Sequence, residues 1–139
     1  MNQLALKPET RINLLLSPVA AGQPLAADAV FDRIDLNQML TNGNPYCVLV
    51  RVRGDSMDGE IADGDMVLID RSRQPQPNDI VLAFVNGGYS VKRYKLNDRR
   101  GSSGLYLVPS NGKHEPRRLE PTDDFELVGV VTHVIHSTL

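Results

Sequence analysis

The sequence predicts a mostly β protein: compact antiparallel β-sheets with a flexible N-terminal arm and one short helix. Three observations carry that reading. From Pro45 onward, short apolar runs alternate with clusters of Gly, Pro, Asn, Asp and Ser, the punctuation of an all-β chain. Asn86-Gly87 lies between two such runs, and this pair suits the two-residue hairpin turn whose residues both need positive φ. Upstream, only Ala26 to Leu40 repeats apolar residues at helical spacing.

Taken in order, residues 1–24 read as a flexible arm. Pro8, Pro18 and Pro24 interrupt any helix, and Ala20-Ala21-Gly22 is small and pliant. Leu14-Leu15-Leu16 is costly to leave in water and marks the arm as something to be recognised. Residues 25–44 read as a linker helix. Ala26, Val30, Ile34, Leu36, Met39 and Leu40 fall near one face, and Asn42-Gly43 supplies the stop. Residues 45–139 read as a β-rich domain. Its expected strands are Tyr46–Arg53, Met66–Asp70, Ile80–Val85, Tyr89–Leu96, Leu105–Pro109 and Phe125–Ile135.

Composition narrows the function classes. A chain of 139 residues buries a core without metal or disulfide staples. A net charge of -2 and a pI of 5.9 give no basic face for nucleic acid, so no direct sequence-specific DNA binding is expected. Arg71, Arg73, Arg99, Arg100, Arg117 and Arg118 read as solvated loop charges. The single cysteine, Cys47, excludes an internal disulfide and suits a reducing compartment; in an apolar strand it reads as a buried, inert thiol. No apolar run approaches the roughly 20 residues of a membrane span. Ile12–Leu16 is too short and too polar for a secretory signal, so a cytoplasmic location is expected. No cofactor or metal is expected either. His133 and His136, three apart on a strand, point to opposite faces; His114 sits in a charged loop; Asp63-Gly64-Asp65 lacks the fuller calcium-loop pattern.

Two stretches carry chemistry. Val48–Arg53 alternates as a strand, then Gly54-Asp55 allows a sharp turn that presents Ser56 exposed at its apex, where nearby backbone N–H groups can hold an oxyanion. In Tyr89–Leu96, period two sets Lys92 on one face with Ser90, Tyr94 and Leu96, while Arg93 and Lys95 mark the other face as the wet side. A sheltered lysine loses its charge more readily, and a neutral amine can take the proton of a serine hydroxyl. Ser-Lys is a known variant of the serine-protease constellation.

These stretches, Val52-Arg-Gly-Asp-Ser-Met57, Ile61–Asp70, Asn78–Val81 and Ser90-Val-Lys-Arg93, resemble the catalytic domain of the LexA/UmuD-type self-cleaving Ser-Lys peptidases. Arg33–Leu40 and Val128–Val134 resemble the UmuD branch. The resemblance implies that Ser56 is the nucleophile and Lys92 the general base, with the Asp55 and Ser56 backbone as oxyanion hole. It implies cleavage between Ala21 and Gly22. It also implies a homodimer, stimulation by a RecA–single-stranded DNA filament, and a processed form serving a UmuC-type Y-family polymerase in SOS mutagenesis and translesion synthesis. Two other readings compete: a LexA-type self-cleaving repressor, for which the residues ahead of Ser56 leave little room for a helix-turn-helix, and a non-catalytic β-rich adaptor.

Overall fold

A computed structural model of the chain describes residues 12–15, 21–22, 31–97 and 100–139. These fall into two compact units, one ending at Pro45 and the other spanning Tyr46–Leu139.

In the first unit, β1 (Ile12–Leu15) pairs antiparallel with β2 (Phe31–Ile34), Ile12 facing Ile34 and Leu15 facing Phe31. The helix α1 follows at Leu36–Thr41. Two expectations change here. The arm was expected to be irregular, yet Ile12–Leu15 is a strand. The helix was expected from Ala26, yet Phe31–Ile34 is extended; residues 23–30 lie outside the described residues. The cause is local. Asp35 keeps an extended backbone, φ -92° and ψ 111°, and its carboxylate accepts the Gln38 N–H at 3.3 Å. That cap starts the helix at Leu36 and leaves the preceding apolar residues to pair as a strand. Asn42 ends the helix in the left-handed region at φ 53°, as the Asn-Gly stop predicts.

In the second unit, seven strands form one antiparallel sheet. They are β3 (Cys47–Arg51), β4 (Met66–Asp70), β5 (Ile80–Val85), β6 (Gly88–Asn97), β7 (Ser103–Val108), β8 (Arg117–Leu119) and β9 (Phe125–Ile135). The order across the sheet is β3-β4-β9-β5-β6-β7-β8. The last strand thus sits near the middle, and two register shifts let it serve two partners. Its pairing skips Val128 against β5 and Thr132 against β4. Such bulges bend and twist a long strand. The β5–β6 turn is the expected hairpin: Val85 faces Gly88, with Asn86 at φ 46° and Gly87 at φ 90°.

Apolar residues are buried on both faces of β5. Leu82 joins Met57, Ile61, Val67, Ile69 and Val91 in one cluster; Val81 and Ala83 join Leu107 and Leu119 in another. This two-sided burial explains why Ile80–Val85 is continuously apolar rather than alternating. Arg117 and Arg118, expected in a loop, belong to β8, where only Leu119 is buried. Cys47 is half-buried rather than buried, because β3 is the sheet's edge. Among the described residues, no helix is long and apolar enough to cross a membrane.

Candidate active site

Ser56 lies in the connection from β3 to β4. Gly54 turns the chain at φ 92°, and its N–H donates to the Asp63 carboxylate at 2.7 Å. A tight turn follows, in which the Asp58 N–H donates to the Asp55 carbonyl at 3.0 Å and the Ile61 N–H to the Met57 carbonyl at 2.8 Å. Met57 and Ile61, four residues apart, drive their side chains into the core at 1% and 0% exposure. The sequence reading put Ser56 exposed at an apex. It is half-buried instead, because its neighbour is pulled inward and a second loop crosses over it.

Lys92 stands on β6 opposite Val81 of β5. Its Nζ donates to Ser56 Oγ at 2.9 Å and to the Val91 carbonyl at 3.2 Å. The structure therefore brings the two residues together across 36 positions of sequence. Burial holds the Lys92 pKa below the ordinary lysine value of 10.5, because a low-dielectric setting penalises the charged form. Among the described residues no carboxylate lies within ion-pair distance of this amine. The face expected to be wet is not. Val91 is in the core, and Arg93 and Lys95 are half-buried, Arg93 paired with Glu60. Lys92 is sheltered because both faces of β6 are covered.

The loop that crosses Ser56 is Pro109–His114, after β7. The Asn111 backbone N–H donates to the Ser56 carbonyl at 2.9 Å, and its side-chain Nδ2 donates to the Asp55 carbonyl at 3.0 Å. His114 Nε2 lies 2.7 Å from Asp55 Oδ1, and this contact holds the Asp55 carboxyl below its usual range. Arg93 and Ser110 both donate to Glu60 and together depress its carboxyl, Arg93 contributing most. Asn111, Ser110 and Glu60 escaped the sequence reading. Asn111 was visible only as turn material in Ser110-Asn111-Gly112, and no local pattern tells which backbone a turn residue will grip.

Of the expected oxyanion donors, the Ser56 N–H has no acceptor among the described residues, while the Asp55 N–H lies against its own carboxylate. Ala21 and Gly22 form a turn in the first unit, and both are exposed. Beside Lys92 runs an open cleft lined by Tyr89, Ser90, Leu107, Glu115 and Arg117. The two C-terminal histidines take separate partners: His133 meets Thr132 Oγ1 at 2.9 Å, and His136 meets the buried Asp65 at 2.5 Å. Asp65 also accepts the Ala62 N–H at 2.8 Å, so Asp63-Gly64-Asp65 serves a turn. Arg71 donates to the Tyr46 carbonyl and Arg73 approaches Asp70; Arg99 lies outside the described residues.

Comparison with known proteins gives consistent matches. The Peptidase S24-like family matches residues 13–132. "Protein ImpA" of Salmonella typhimurium is 35% identical over 114 residues, covering 81% of this chain and 74% of that protein. "LexA repressor 1" of Xanthomonas oryzae pv. oryzae is 36% identical over 123 residues, covering 87% of this chain and 59% of the repressor. "LexA repressor" of Streptomyces coelicolor is 36% identical over 131 residues, covering 93% and 53%.

Proposed function

The chain belongs to the Peptidase S24-like family, and from that membership we propose that it is a serine endopeptidase that cuts its own arm between Ala21 and Gly22. The observation that carries this reading is the 2.9 Å contact between a desolvated lysine amine and a serine hydroxyl. The matched stretch, residues 13–132, takes in the bond to be cut as well as Ser56 and Lys92.

The chemistry follows from the pair. Neutral Lys92 removes the Ser56 hydroxyl proton as Oγ adds to the Ala21 carbonyl carbon. The oxyanion so formed lies against backbone N–H groups of the turn that carries Ser56, unpaired among the described residues. As the intermediate collapses, the C–N bond breaks and the Lys92 ammonium returns its proton to the Gly22 nitrogen. The Ser56 ester to Ala21 is then hydrolysed by water, with Lys92 again accepting a proton. Small residues at the cut allow an extended arm to come close to Oγ.

The finer role rests on the resemblance to the UmuD branch. In this reading the protein is a homodimer, a RecA–single-stranded DNA filament favours the cleavable pose of the arm, and the shortened product is an accessory subunit of a UmuC-type Y-family polymerase in translesion synthesis. Similarity to LexA repressors favours a second reading, a self-cleaving repressor. An electrophoretic mobility shift on operator-like duplexes separates the two, since the first predicts no sequence preference.

The test of cleavage is direct. Alkaline incubation of purified protein should yield, by intact mass, a species beginning at Gly22. Ser56→Ala and Lys92→Ala should each abolish it, and cutting that persists at this bond in either variant would overturn the dyad. Gly22→Glu should block cutting with the fold intact; undiminished cutting would show the bond to be elsewhere.

A further inference from the structure

We infer that Asn111 is the positioning residue of the oxyanion hole: its two hydrogen bonds to the Asp55 and Ser56 carbonyls aim the N–H groups of Ser56 and Met57 at the oxygen of the carbonyl under attack. The inference deepens the self-cleavage reading and rests on it.

The geometry is that of the peptide bond. In a trans peptide the C=O of one residue and the N–H of the next point in opposite directions within one plane. The chain has no cis peptide bond among the described residues. Fixing the Asp55 carbonyl therefore fixes the Ser56 N–H on the opposite side, and fixing the Ser56 carbonyl fixes the Met57 N–H. Asn111 holds both, the first through Nδ2 at 3.0 Å and the second through its own backbone N–H at 2.9 Å. Neither the Ser56 nor the Met57 N–H has an acceptor among the described residues. Two adjacent donors are thus free and flank the hydroxyl that Lys92 touches.

Other groups do not duplicate the restraint. The Asp58 N–H also donates to the Asp55 carbonyl at 3.0 Å, but it lies in the same turn and moves with it. Asn111 belongs to a different loop, stiffened by its own bonds: the Lys113 N–H donates to Asn111 Oδ1 at 3.0 Å and the His114 N–H to the Asn111 carbonyl at 3.1 Å. His114 then meets the Asp55 side chain, which seats the loop without touching either peptide plane.

Two substitutions separate donor from scaffold. Asn111→Asp keeps the shape and the acceptor for Lys113 but loses the donor to Asp55. Asn111→Ala loses the donor and adds no charge. Both keep the backbone N–H to Ser56. Removing one oxyanion donor costs roughly a hundred-fold or more in rate, so both variants should cleave roughly a hundred-fold more slowly on the alkaline plateau. The pH midpoint set by Lys92 should stay in place, which general slackening of the site would move. A plateau equal to that of the unaltered protein in either variant, or a shifted midpoint at an unchanged plateau, overturns the inference.

A second readout does not need cleavage. In amide NMR of the full chain at neutral pH, both variants should lose order at the Ser56 and Met57 N–H while Val67 and Ile69 stay unchanged. Unaltered Ser56 and Met57 signals overturn the positioning role. Failure of the unaltered protein to cleave at all, with the NMR effect present, would instead count against the self-cleavage reading alone.

Discussion

At Lys92, shelter from water raises the cost of the ammonium form. Its pKa in the folded chain lies below the value of 10.5 that it regains on unfolding. Between those two values the unfolded chain binds the extra proton, so stability rises with pH across that window and is lowest below it. Lys92→Met, similar in length but uncharged, should therefore melt at a higher temperature than the unaltered protein at pH 7. The gap should narrow as pH approaches 10.5, and differential scanning calorimetry across pH reads it directly. Glu60 has the opposite sign. Arg93 and Ser110 hold its carboxyl below the ordinary value of 4.5, so its contribution is present above that value and lost as pH falls through the lowered one. Because Glu60 is partly exposed, Glu60→Gln should cost only about 1 kcal/mol at neutral pH by urea unfolding, with no difference from the unaltered protein in strong acid. Ser56 and Lys92 were legible because a strand ending in Gly54 and a lysine within an apolar strand are local patterns. Asn111 and Glu60 were not, since the Asp55 carbonyl that Asn111 grips is 56 residues away and the two partners of Glu60 are 33 and 50 residues away.

Among the elements, β9 carries the tightest constraint. A Cβ at Gly129 would lie 2.7 Å from Ile69 Cγ2 and 2.8 Å from the Asp70 carbonyl. Backbone cannot yield there, so Gly129→Ala should destabilise by about 1–3 kcal/mol, as overpacking does, measured by urea unfolding. Met57 is the anchor of the Ser56 turn. Met57→Ala should cost about 2–5 kcal/mol and slow cleavage beyond what the loss of folded population explains. The bounds of β4, β5 and β9 were legible to the residue, because turn clusters bracket each apolar run. Two kinds of element were not. β8 offers three residues, two of them arginine, and no alternation to see. β2 hid inside a stretch with helical spacing, where the Asp35 cap decided the outcome over periodicity.

At the scale of the molecule, both apolar clusters draw, among the described residues, on positions between Val48 and Val131, inside the second unit. The chain from Tyr46 to Leu139 should accordingly fold alone. Its far-ultraviolet circular dichroism should be that of a β-sheet, and its unfolding should remain one cooperative transition. The product starting at Gly22 should likewise melt within a few degrees of the intact chain. The antiparallel class of the sheet was legible, but its order was not. Inserting β9 between β4 and β5 depends on which strands share a buried face, and local sequence does not encode that partnership.

The Ser56 turn is pinned by Met57 and Ile61 in one cluster, and Lys92 sits opposite Val81 of the other. On the proposed chemistry, reactivity is therefore a property of the folded state. A denatured or half-made copy carries an ordinary lysine and an inert hydroxyl, so a failed chain cannot attack its neighbours. The protein needs no separate inhibitor to keep its misfolded copies harmless.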